Sequence, residues 1–152
     1  QTKYRVAIMS EVLASADVLT LHMPLTAENK DLISALTLAT MKEGAILINC
    51  SRGALIDLDA ALVALNSGKL GGLGLDVFDP EPPAHHALFD HENVLLTPHV
   101  MGLSVKATQA TFIDAARAVR AVIDGQEPDA LVNAIAFSQL QQIKENQNRS
   151  TS

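Results

Sequence analysis

Apolar residues in this chain fall into short runs that alternate between strand-like and helix-like spacing. Residues 5–8 read as a short strand. Ser10 can then cap a helix running to about Ala16, with Val12, Leu13 and Ala16 on one face. Residues 18–21 form a buried strand stopped by His22, Met23 and Pro24. A short helix is predicted over 34–41, ending before Gly44 as its C-terminal glycine. The run 45–49 is apolar almost throughout, the pattern of a strand buried on both faces. Asp57 or Asp59 can cap a helix to Ser67, closed by Gly68, and strands follow at 72–77 and 94–96. The longest helix is predicted from about Ser104 to Asp124. Val105, Thr108, Phe112, Ala115, Val119 and Val122 or Ile123 recur along it at helical spacing, and Gly125 stops it.

Strands separated by helices imply an α/β layer architecture, a mostly parallel sheet covered by helices. Ligands of such sheets bind beyond the carboxyl ends of the strands. Pro24, Arg52, Asp76 and His99 all fall at or just past those ends, so separate segments aim polar groups at one edge.

The chain of 152 residues, 48% hydrophobic, has the material for one core, built from Ala, Leu, Val and Ile because aromatics are only 3%. A net charge of −6 and the lack of a basic cluster argue against nucleic-acid or anionic-membrane partners. The single cysteine, Cys50, leaves no internal disulfide framework and suits a reducing compartment. No apolar run approaches the roughly 18 residues of a membrane span, so a cytoplasmic location is expected. The start at Gln1 rather than methionine suggests that residues lie upstream. The composition turns polar near the end, dividing the chain into a domain over 1–135 and a polar tail over 136–152, partly disordered.

Three side chains carry the chemistry. Arg52 offers a planar, permanently charged fork suited to a carboxylate. His99 can take and return a proton near neutral pH, and Glu81 supplies a carboxylate. Pro80, Pro82, Pro83 and Pro98 stiffen the loops that present them. The remaining histidines suggest no metal: His85, His86 and His91 lie near Asp90 and Glu92, but no H-E-x-x-H or cysteine–histidine spacing exists. Cys50, at a buried strand end without a local histidine, reads as a packing residue.

At these residues the chain resembles the D-isomer-specific 2-hydroxyacid dehydrogenase family, which includes phosphoglycerate, glyoxylate/hydroxypyruvate and D-lactate dehydrogenases. The matching stretches are 16–26, 41–49, 51–57, 74–82, 93–99 and 131–133, in the family's order and spacing. The resemblance implies the later part of a Rossmann-type NAD-binding domain and reversible hydride transfer between NAD(H) and a small 2-hydroxy or 2-keto acid. It makes His99 the acid/base, Glu81 its orienter and Arg52 the anchor for the substrate carboxylate. It places Asp76 at the nicotinamide end of the cofactor, with the backbone around Pro24, Cys50 and Gly102 lining the same pocket. It also implies a homodimer.

Two departures qualify the match. The family's G-x-G-x-x-G turn and the acidic ribose-binding residue are absent, so NAD and NADP are not distinguished. Gly72-Leu73-Gly74 leads into a strand and is a false match, because a pyrophosphate site needs a helix amino terminus. Met101 also stands where the family has a small residue. The expectation is therefore a fragment of a longer enzyme, inactive or weakly active alone. The alternative is a truncated, non-catalytic module used for self-association or docking.

Overall fold

The computed structural model describes residues 4–133, 138–139 and 142–143. The chain divides into two compact units, 1–101 and 102–152.

In the first unit, four parallel strands form one sheet: β1 (Val18–Leu21), β2 (Ala45–Asn49), β3 (Leu70–Leu75) and β4 (Val94–Leu96), in that spatial order. Leu21 pairs in register with Asn49, Asn49 with Leu75, and Leu75 with Leu96. The strands thus end in line, and the loops after them leave from a single edge. This alignment turns the sequence-level convergence of Pro24, Arg52, Asp76 and His99 into a spatial one.

One core lies between the sheet and the helices α1 (Met9–Ser15), α2 (Ala35–Thr40) and α3 (Leu58–Asn66). Leu13, Leu38, Ala61 and Leu65 from the helices pack with Leu19, Leu21, Leu47, Leu73 and Leu75 from the strands. Removing such side chains from water contributes roughly 25 cal/mol per Å² of apolar surface. Alternation along β1 is clean, with Leu19 and Leu21 buried and Val18 and Thr20 exposed. The expectation that β2 is buried on both faces fails, since Ile46 is 42% exposed. Its apolar run marks one fully packed face rather than two.

Other boundaries follow from local chemistry. Residues 5–8 form no strand, because no sheet edge pairs with their backbone groups. Helix α1 starts instead at Met9, with Ile8 as its N-cap and Ser10 inside its first turn, and Arg5 pairs with Glu11. Ser34 and Thr37 form a capping box at α2, and Asp57 accepts the Ala60 amide at the start of α3. Gly44 does not cap α2, which ends at Met41; its φ of +72° turns the chain into β2. Strand β3 begins two residues earlier than its sequence pattern suggests. Gly71 sits at a register shift where an added Cβ would lie 2.5 Å from the Gly44 carbonyl oxygen.

The second unit contains α4 (Val105–Ile123), capped by Ser104 through the Ala107 amide and followed by Gly125 at φ +73°. Arg117 pairs with Asp114 at 3.3 Å and Arg120 with Asp124 at 2.7 Å. Of the polar tail, 138–139 and 142–143 are helical, and the rest of that expectation lies outside the described residues.

Candidate active site

The Arg52 loop is shaped by Asn49, the fully buried last residue of β2. Its side-chain amide donates to the Arg52 carbonyl at 2.8 Å, and its carbonyl accepts the Ser51 amide at 3.0 Å. The Ser51 hydroxyl donates to the Met23 carbonyl, fastening this loop to the one after β1. Arg52 itself is exposed and donates through Nη1 to the Ser51 carbonyl at 2.6 Å, and it has no ion-pair partner among the described residues. Gly53 lies directly on the backbone of Phe78 and Asp79, so the Arg52 loop and the 78–81 loop are in contact.

Phe78 begins the second arm. Its amide donates to Glu81 Oε1 at 2.8 Å, and its ring meets Phe89 edge-on at 5.6 Å between centroids. Glu81 Oε2 stands 2.9 Å from His99 Nδ1. The hydrogen bond to His99 is the main influence on Glu81. Together with the Phe78 amide and the charges of His99 and Arg52, it holds the carboxyl below its ordinary range despite partial desolvation. An ionised carboxylate only accepts, so Nδ1 carries a proton, and in the neutral form of the ring Nε2 is left unprotonated. The structure therefore brings Arg52, Glu81 and His99 together, the imidazole half exposed. Beside them is a cavity of about 460 Å³ walled by Phe78, Pro82, Pro83, Leu96 and Pro98, with Glu81 and His99 also in its lining.

Asp76 follows β3 and is only 3% exposed. Its Oδ1 accepts from the Thr97 hydroxyl at 2.5 Å and the Val100 amide at 2.9 Å, and its Oδ2 from the Met101 amide at 2.9 Å. Burial pushes its pKa up, but these three bonds and the His99 charge outweigh it and leave the carboxyl lowered. Sequence reasoning missed this bonding. The signal was present as an aspartate at the end of a buried strand, where an unpartnered carboxylate would be costly.

Pro24 and Cys50 follow β1 and β2 at the same edge, while Gly102 belongs to the second unit. Burial, and then the Asp76 charge, push the Cys50 thiol up, which disfavours a reactive thiolate. His85, His86 and His91 are engaged elsewhere. His85 pairs with Asp90 at 3.0 Å, His86 with Asp59 at 3.2 Å, and His91 Nδ1 accepts the Asn93 amide. Among the described residues no group of three His, Cys, Asp or Glu could hold a metal ion. A second cavity, of about 450 Å³, is lined by Asp31, Asp57, Asp59 and Asp79, but Asp57 is committed to capping α3 and Asp59 to His86.

The donor set, an imidazole, a guanidinium and a carboxylate at a parallel-sheet edge, can hold an anionic ligand and move a proton on it. No glycine-rich strand-to-helix turn for a pyrophosphate is present among the described residues.

Comparison with known proteins identifies the family. Residues 1–101 match the model of the D-isomer specific 2-hydroxyacid dehydrogenase, NAD binding domain. D-3-phosphoglycerate dehydrogenase of Bacillus subtilis (strain 168) is 50% identical over 99 residues, covering 65% of this chain and 19% of that protein. Glyoxylate reductase of Thermofilum pendens is 40% identical over 126 residues, covering 82% and 37%. Among solved structures, the TT0316 protein from Thermus thermophilus aligns with a TM-score of 0.81 at 41% identity, over 86% of this chain and 42% of that one. D-lactate dehydrogenase with NAD+ from Lactobacillus jensenii aligns with a TM-score of 0.76 at 28% identity, over 83% and 42%. The chain spans well under half the length of each of these relatives. With two thirds of its length matching the family's domain and its parallel sheet matching the solved folds, the chain belongs to the D-isomer specific 2-hydroxyacid dehydrogenases and carries part of their NAD binding domain.

Proposed function

We propose that this chain supplies the proton-transfer and carboxylate-anchoring half of a reversible 2-hydroxyacid/2-ketoacid oxidoreductase. The observation that carries the reading is the 2.9 Å bond between His99 Nδ1 and Glu81 Oε2, with Arg52 close enough to lower the Glu81 pKa. Arg52 holds the substrate carboxylate, its fork free of any ion pair among the described residues. His99 Nε2 takes the hydroxyl proton in oxidation, and the imidazolium that forms is stabilised by Glu81. In reduction the same nitrogen returns the proton to the carbonyl oxygen. NAD, when bound, would supply the hydride acceptor for oxidation and, as NADH, the hydride donor for reduction. Pro24, Cys50 and Asp76 would hold its nicotinamide end.

Turnover belongs, in this reading, to a longer chain that supplies the pyrophosphate-binding turn and the rest of the substrate site. The substrate is a small 2-hydroxy or 2-keto acid, the location is cytoplasmic, and the assembly is a homodimer. A cytoplasmic site is supported by the lone free Cys50, and self-association by the outer edges of β1 and β4, which pair with no strand among the described residues. The test is calorimetric titration of the 152-residue chain with NADH, together with turnover of a parent-length chain carrying His99→Ala. The expected results are binding weaker than micromolar for the short chain and loss of turnover in the variant. Micromolar binding by the short chain, or unchanged turnover in His99→Ala, contradicts the reading.

A further inference from the structure

We propose that Asp76 is a positioning residue whose buried carboxylate clamps the 97–101 loop on both sides of His99 and so sets where the imidazole stands. His99 has a φ of +54°, a left-handed conformation that a residue with a side chain keeps only when its surroundings hold it there. The His99 amide donates to the Thr97 carbonyl at 3.1 Å, closing a tight turn around Pro98. Ahead of the histidine, the Thr97 amide is fixed to the Leu75 carbonyl of β3 at 2.9 Å, and the Thr97 hydroxyl reaches Asp76 Oδ1. Behind it, the successive amides of Val100 and Met101 point at the two oxygens of the same carboxylate. Consecutive amides around a left-handed residue form a concavity for an anion, and here the anion is part of the chain. Three of the roughly four acceptor positions of the carboxylate are thus engaged within the protein. Its principal task is to shape the loop, with at most one position left for a cofactor.

The proposal deepens the reading of His99 as acid/base and rests on it for its meaning. Its test requires no turnover, so the two can fail separately. Amide exchange and imidazole nitrogen resonances are recorded by NMR on the ¹⁵N-labelled chain for three variants. Asp76→Asn keeps the size of the side chain but turns one acceptor oxygen into a donor. Exchange at Val100 and Met101 is expected to accelerate about 10- to 100-fold, the loss of a charge-assisted hydrogen bond. The Nδ1–H signal of His99 bonded to Glu81 should weaken at the same time. Thr97→Val, a milder change, should move both signals in the same direction by less, and it decides the matter if Asp76→Asn does not fold. Glu81→Gln should alter the ring signals while leaving the two amides protected. Wild-type ring signals and amide protection in the folded Asp76 variant, or in Thr97→Val if Asp76→Asn does not fold, overturn the proposal. So does loss of Val100 and Met101 protection in Glu81→Gln, because the Glu81–His99 bond would then be holding the loop.

Discussion

Replacing Gly53 with alanine tests how the two halves of the site are joined. A Cβ at this position would lie 2.1 Å from the Phe78 carbonyl carbon, 2.4 Å from its oxygen and 2.6 Å from the Asp79 nitrogen. All three atoms are backbone, so no side chain can swing aside. Ordinary van der Waals contact begins at 3.4 Å, so the loops must separate by about 3.4 − 2.1 = 1.3 Å along the shortest approach. One of these loops carries the Phe78 amide bonded to Glu81, and through Glu81 the orientation of His99. The other carries Arg52. Overpacking of this kind costs about 1–3 kcal/mol, which for a unit of this size lowers Tm by about 5–15 °C. A displacement of about 1 Å between catalytic groups can cost roughly 100-fold in rate. Thermal unfolding followed by circular dichroism measures the first effect, and kcat/KM in a parent-length chain the second. Gly68→Ala is the control: it has a φ of +79° but nothing within 4 Å, so it should lose stability without disturbing His99. A Gly53→Ala chain with unchanged Tm and unchanged His99 resonances refutes the reasoning.

Gly71→Ala should also destabilise the chain, by about 1–3 kcal/mol in denaturant titration, because its Cβ would meet the Gly44 carbonyl oxygen at 2.5 Å. Asp57→Ala should cost about 1 kcal/mol in the same assay through loss of the α3 cap. In acid the pair should come apart in a defined direction. Glu81 has a lowered folded pKa, so its contribution is complete above the ordinary glutamate pKa and fades as pH falls through the folded value. Carbon NMR of the Glu81 carboxyl against pH should show its midpoint below that of an exposed glutamate, and a midpoint at or above it removes the proposed ion pair.

The legible part of the fold was its periodicity. Runs at 18–21, 45–49 and 94–96 became strands, and Ser34, Asp57 and Ser104 stand at helix starts because an oxygen there satisfies exposed amides. The strand expected at 5–8 failed because apolar alternation cannot say whether a partner edge exists. The early start of β3 escaped notice because Gly71 and Gly72 give no side-chain pattern to read. At the site, position at strand ends marked Arg52 and His99, and Glu81 was legible only as their companion. The work of Asn49 and Asp76 was not visible, since hydrogen bonds between a carboxylate and amides some two dozen residues away leave no periodic trace. Nor does any sequence rule anticipate a histidine at positive φ.

The central claim, a His99 held by Glu81 with Nε2 open as a base, is tested most directly by the tautomer of that one ring. A long-range ¹H–¹⁵N correlation spectrum of the neutral ring should show Nδ1 protonated and Nε2 bare in the wild-type chain, with that preference lost in Glu81→Gln. An Nε2-protonated ring in the wild type, or the same spectrum in both chains, contradicts the account.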